Sequence, residues 1–240
     1  MIPLPVILRA AESADRAYRY ADIADERTDT QVCLDCDSDW LTVSFRGTSS
    51  LRDMLTDARI RRRTFAPAGS VHRGFSAAMD SIWHRLESRL RSLHPARRVL
   101  FTGHSLGGAL AMLAAARSVD AGHSVWRVVT FGQPRLGNRA FASWYDRRLG
   151  SRTLRVVNVN DPVPRLPGPL SGYRHCGGEL FLDAFGGMSF NPPWWRKLPS
   201  DIAGLAASLD PVLPLTGTLA STAAHHGIAR YVAQLKRNNA

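Results

Sequence analysis

The chain is poor in lysine, in cysteine and in long apolar runs, and each shortage excludes something. Only Lys197 and Lys236 are lysines among 31 basic residues; the other 29 are arginine, set against 20 acidic residues for a net charge of +11. The arginines are scattered, with only short clusters, as at Arg61–Arg63 and Arg97–Arg98. No nucleic-acid-binding motif accompanies them, so no nucleic-acid partner is expected. A dispersed compositional bias accounts for the charge, and the sharper alternative is peripheral contact with an anionic membrane or lipid surface. The three cysteines are Cys33, Cys36 and Cys176. Cys33-x-x-Cys36 has zinc or redox spacing, but the second pair that a zinc site needs is missing. An odd count also argues against a secreted disulfide scaffold, so the thiols read as reduced and structural. No apolar run approaches the ~20 residues of a membrane span. The stretch Ile2 to Leu8 holds two prolines and no basic residue ahead of them, which makes a poor signal peptide. A cytoplasmic or membrane-peripheral location is the resulting expectation.

What is present is a globular composition, with 45% hydrophobic residues over 240 positions. That suits one α/β domain spanning 1–240. Its organising stretch is Phe101-Thr102-Gly103-His104-Ser105-Leu106-Gly107-Gly108-Ala109-Leu110. The apolar Val99 to Phe101 reads as a buried strand and the Ala-rich 109–116 as a helix. Between them, Gly-x-Ser-x-Gly permits a sharp turn that exposes the Ser105 hydroxyl and leaves the Leu106 amide at a helix N-terminus.

Around it, residues from about 6 to 24 carry apolar positions at helical spacing and read as a surface helix. Strands are expected at 30–37 and 40–45, a long helix at 76–93, and strands and helices in alternation from 97 to 159. That alternation predicts a parallel sheet, with ligands at the carboxyl ends of its strands. Asp161 follows the strand ending at Val159, where it is either a turn starter or an acid at the catalytic edge. Gly172 to Leu182 reads as one terminal strand. Residues 184–222 mix Pro, Gly and apolar types; Trp194 and Trp195 there suit either a membrane interface or the wall of a pocket. A last helix opens at Ala224-His225-His226-Gly227.

The order Ser105, Asp161, then His225 or His226 is the nucleophile, acid, base order of elbow hydrolases. Such a site needs a second oxyanion donor from a loop after an earlier strand. Thr48, following Gly47, offers its N–H, while Ser49 or Ser50 alternatively makes a plain helix cap. Leu51, Met54, Leu55 and Ala58 share one face of a short amphipathic helix that is either a lid or part of the body. Acyl transfer by this arrangement needs no metal and no cofactor.

Taken together, Phe45-Arg46-Gly47-Thr48-Ser49-Ser50, Val71-His72-Arg73-Gly74-Phe75, Thr102 to Ala109, Phe131-Gly132-Gln133-Pro134-Arg135-Leu136-Gly137-Asn138 and Asn160-Asp161-Pro162-Val163-Pro164 resemble the fungal-type, class 3 lipases. The resemblance runs from about 40 to 182 and resumes in the last helix. It implies an α/β-hydrolase fold, with a mostly parallel central sheet and helices on both faces. It implies Ser105 as nucleophile, Asp161 as acid, Thr48 and Leu106 as oxyanion donors, and the 49–60 segment as a lid. Spacing to Tyr231 makes His226 the better match to the family's base, with His225 the alternative. The implied substrates are lipid esters; phospholipids, short-chain esters and a non-catalytic lipid-binding module are the competing readings.

Overall fold

The computed structural model describes residues 2–47, 61–93, 98–193 and 226–238. The candidate lid, Thr48, Trp194, Trp195 and His225 lie outside these residues. The strands, in chain order, are β1 Ile23–Asp25, β2 Thr30–Cys36, β3 Trp40–Phe45, β4 Arg62–Thr64, β5 Ser70–His72, β6 Arg98–His104, β7 Arg127–Phe131, β8 Gly137–Asn138, β9 Thr153–Asn158, β10 Tyr173–Arg174, β11 Gly178–Leu182 and β12 Met188–Phe190. The helices are α1 Leu4–Arg16, α2 Arg73–Leu93, α3 Leu106–Asp120, α4 Arg139–Leu149 and α5 Ile228–Arg237.

Eight strands form the main sheet in the order β1-β2-β3-β6-β7-β9-β11-β12. The centre, β3 to β11, is parallel throughout, and antiparallel pairs finish both edges. Helix α3 follows β6 and is buried on nearly every side, from Gly107 through Ala116. Its lack of a polar face is what a helix enclosed by sheet and neighbours requires. With α2 and α4 it covers one face of the sheet, around Val43, Phe101, Met79, Ile82, Phe141 and Trp144. Helices α1 and α5 cover the other, where Ala10, Ala14, Tyr231 and Leu235 meet Leu100, Val129 and Val156. Each large apolar side chain so buried contributes about 1.5–3 kcal/mol.

The first helix is shorter than its periodicity suggests. It ends at Arg16, and Ile23–Asp25 pairs with β2 instead. Its alanines are small enough to lie directly on the sheet, and Thr102 Oγ1 donates to the Ala10 carbonyl at 3.1 Å. The stretch 172–182 is not one strand. Gly177 takes φ +74, a turn that a side chain would resist, and Arg155 Nε holds the Cys176 carbonyl at 3.0 Å. Tyr173–Arg174 therefore joins a small sheet of order β10-β8-β5-β4, while 178–182 stays beside β9. Among residues 184–193 the structure adds β12, a hairpin partner of β11 that the sequence reading left unassigned.

Candidate active site

The loops at the carboxyl ends of β6, β7 and β9 meet the turn before α5, and the candidate residues gather there. Ser105 closes β6 and caps α3 with φ 58 and ψ −128, a conformation that costs a residue carrying a Cβ on the order of 1–3 kcal/mol. The flanking glycines make the turn possible. A Cβ on Gly103 would lie 2.4 Å from the Gly107 carbonyl group, and one on Gly107 only 2.2 Å from the Phe45 oxygen. Ser105 N–H donates to the Phe131 carbonyl at 2.9 Å, which ties the elbow to the end of β7. Helix geometry leaves the Leu106 N–H without an acceptor inside α3.

Asp161 is 1% exposed and His226 5% exposed. His226 Nδ1 meets Asp161 Oδ2 at 2.8 Å, so with the acid ionised Nδ1 carries the proton and Nε2 holds the lone pair. Nε2 is buried and has no hydrogen-bond partner among the described residues. The other Asp161 oxygen accepts from the Val163 N–H at 2.9 Å. Asp161 thus starts a turn at Pro162 and also faces a histidine; the two readings of this residue coexist.

Gly132 lets the acid and the imidazole come together. It has φ +55, and a Cβ there would lie 2.5 Å from Asp161 Oδ2 and 3.1 Å from His226 Nδ1. Since the Ser105 amide bonds to Phe131, the serine and the histidine flank the same Phe131–Gly132 dipeptide.

Sequence reasoning missed four of the residues assembled here: Gly132, Tyr231, His104 and Tyr18. The Tyr231 hydroxyl donates to Asp161 Oδ2 at 2.6 Å and accepts from the Asn158 N–H at 3.2 Å. Burial and the Asp161 charge push its pKa well above the usual value of 10, so it stays a donor. Tyr231→Phe removes the hydroxyl and strands the Asn158 N–H, at a cost of about 1–3 kcal/mol. A lower urea midpoint and an appreciable fall in kcat are expected; unchanged values for both would refute the link to Asp161.

His104, the residue before Ser105, is 3% exposed, and its ring centroid lies 4.4 Å from that of His226. Burial, and then the neighbouring His226, hold its pKa well below 6.5. The sign of the pH effect follows. Below the usual value, the unfolded chain binds a proton that the buried ring refuses. This part of the stability is therefore complete above pH ~6.5 and is lost as the pH falls towards the lowered folded value. Urea unfolding at pH 7.5, 6.5 and 5.5 should show His104→Phe flattening the slope by at most about 1.4 kcal/mol per pH unit. Parallel slopes for variant and wild type would refute this.

The family described as lipase (class 3) matches residues 42–171. A secreted mono- and diacylglycerol lipase of Malassezia restricta is 33% identical over 208 residues, covering 78% of this chain and 63% of that protein. Secreted mono- and diacylglycerol lipase 1 of Fusarium solani is 35% identical over 148 residues, covering 60% of this chain and 44% of the relative. The chain therefore spans less than two thirds of the length of either. Among solved structures, a lipase of Rhizopus microsporus var. chinensis superposes with a TM-score of 0.66 at 26% identity, over 75% of this chain and 76% of that one. A triacylglycerol lipase described as having a serine protease triad at its catalytic centre gives 0.65 at 26%, over 77% and 80%. The fold is that of the α/β-hydrolases.

These relatives correct the expected location. The Malassezia and Fusarium proteins are named as secreted, which overturns the cytoplasmic expectation. The expectation rested on N-terminal composition and on free cysteines. A leader is a processing segment outside the fold, and burial keeps the Cys176 thiol protonated and inert in any compartment.

Proposed function

The chain belongs to the class 3 lipases, and from that premise we propose that it is an extracellular serine hydrolase of lipid esters. Ser105 is the nucleophile, His226 the general base, and Asp161 the group that orients and stabilises the imidazole. The N–H groups of Leu106 and Thr48 hold the oxyanion. The observation that carries this reading is the buried Asp161–His226 pair, with the Nε2 lone pair unpartnered among the described residues and set beside the Ser105 elbow. Thr48 lies outside the described residues; its role is supported by Gly47, which approaches Ser105 closely enough that an added Cβ would sit 3.3 Å from the serine Cβ.

In the first half-reaction His226 Nε2 takes the Ser105 proton as Oγ attacks the ester carbonyl carbon. Negative charge moves to the carbonyl oxygen, where amide donors stabilise it. Collapse expels the alcohol, which receives the proton from His226, and leaves an acyl-serine ester. Water repeats the sequence: His226 takes its proton, hydroxide attacks the acyl carbon, and the proton returns to Ser105 Oγ as the fatty acid leaves. Asp161 stays ionised throughout and faces the imidazolium formed in each half. The net charge of +11 favours approach to anionic lipid surfaces, and salt should weaken that attraction.

A fluorophosphonate probe tests the enzyme reading against a non-catalytic module. Stoichiometric labelling that disappears in Ser105→Ala is expected, and no labelling of folded protein would defeat the proposal. Rates on p-nitrophenyl esters of increasing chain length, then on acylglycerol and phospholipid emulsions, identify the substrate class. A preference for acylglycerols is expected. A preference for phospholipids or for short soluble esters would assign the same chemistry to a different substrate.

A further inference from the structure

Behind the acid and base runs a second hydrogen-bonded chain, and its proton positions follow from the chemistry of its ends. His104 Nε2 lies 2.5 Å from the main-chain carbonyl of His226. A carbonyl only accepts, so Nε2 carries the hydrogen. The ring is held neutral by burial, which leaves Nδ1 bare. Tyr18 Oη lies 2.7 Å from that Nδ1 and must donate to it. Burial pushes the Tyr18 pKa up to about 12, so the phenol keeps its proton to donate. The Tyr18 oxygen also lies against Gly47, where an added Cβ would come within 2.3 Å of it. Both links therefore have one direction: Tyr18 O–H to His104 Nδ1, then His104 Nε2–H to the His226 carbonyl.

We propose that Tyr18 and His104 are positioning residues that hold the oxyanion loop and the base-bearing turn in register across the nucleophile. The proposal rests on the hydrolase reading above and deepens it. Its ends carry the two parts that must be aligned. Gly47, packed against the Tyr18 oxygen, is one peptide unit from Thr48, the proposed oxyanion donor. The His226 carbonyl belongs to the base itself, and His104 adjoins Ser105 in the chain. The four segments involved come from distant parts of the sequence: the residues after α1, the end of β3, the end of β6 and the turn before α5. Bonds polarised in one direction reinforce each other, and breaking one strands buried partners along the rest. The fixed tautomer also keeps His104 uncharged. A cation in that ring would oppose the imidazolium that forms on His226 at each proton transfer.

The test uses Tyr18→Phe, which removes one oxygen and keeps the ring, His104→Phe, and the double variant. Steady-state kinetics on a soluble p-nitrophenyl ester are read beside Tm and Ser105→Ala. Tyr18→Phe is expected to lower kcat about tenfold or more, as displacement of a catalytic group by a fraction of an ångström does, with KM within about twofold of wild type. The double variant should lose little more than the worse single, because both break one chain. Should His104→Phe fail to fold, Tyr18→Phe decides alone. A folded Tyr18→Phe with wild-type kcat, or losses that multiply in the double variant, would overturn the positioning role while Ser105-dependent activity still stood. Wild-type hydrolysis that survives Ser105→Ala would overturn the hydrolase reading, and this proposal with it.

Discussion

Ser105→Ala is expected to lower kcat on any ester about 10⁶-fold and to leave the protein folded. The size of the loss follows from the mechanism. Without Oγ no acyl-enzyme forms, and His226 has no hydroxyl to deprotonate. The remaining acceleration, about 10³–10⁴ over water, comes from the oxyanion donors and from binding. The fold should tolerate the change because the elbow is made by the backbone. The Ser105 N–H still reaches the Phe131 carbonyl, the Gly108 N–H still reaches the Ser105 carbonyl at 3.0 Å, and Gly103 and Gly107 still admit the close approach of helix and strand. Alanine keeps a Cβ and hence the backbone strain at φ 58. Tm within a few degrees of wild type, combined with lost turnover and lost fluorophosphonate labelling, is the expected pattern. Substantial turnover in a preparation free of contaminating esterase would remove Ser105 from the mechanism.

His226→Ala is expected to cost as much as Ser105→Ala, and Asp161→Asn about 10⁴-fold. The asymmetry comes from what each group does. His226 moves the proton in both half-reactions, so nothing replaces it. Asp161 fixes a tautomer. Its Oδ2 receives both the His226 Nδ1–H and the Tyr231 hydroxyl, while Oδ1 is held by the Val163 N–H. An amide in its place retains the shape but can turn its NH₂ towards His226 Nδ1, which moves the ring proton to Nε2 and removes the lone pair that takes the Ser105 proton. Combining either variant with Ser105→Ala should cause almost no further loss, since the three residues act as a unit. His225→Ala should remain active. Rates measured at saturating ester for the singles and doubles check all of this. Full activity in His226→Ala with a dead His225→Ala would transfer the base to the neighbouring residue, and losses that multiply would break the unit.

The elbow was legible in the sequence because its constraint is local. Only glycine at 103 and 107 allows the backbone contacts observed, and the apolar run before Ser105 and the alanine-rich stretch after it announce a buried strand and an enclosed helix. Asp161 was legible for a related reason, since the end of a strand next but one from the elbow lies at the same edge of a parallel sheet. Both predictions need only short-range pattern and the handedness of crossovers.

Other features had no local signal. The run 172–182 alternates well enough to be one strand, and its division depends on Gly177 and on an arginine from β9. His225 and His226 are neighbours with the same chemistry, and spacing to Tyr231 ranked them without bringing either to the acid. The contact of His226 Nδ1 with Asp161, 65 residues away, exists only when α5 packs over the end of β9. Tyr18 reads in sequence as one more amphipathic position on a helix, and His104 as an unspecified residue in a motif. Their role depends on a hydrogen-bonded chain joining residues 18, 104 and 226, with Gly47 packed against its Tyr18 end. Residue types and short periods determined the elements and the order of the chemical groups. Tertiary structure decided which donors and acceptors are buried together, because a directional bond is set by distances of a few tenths of an ångström between segments that only folding brings into contact.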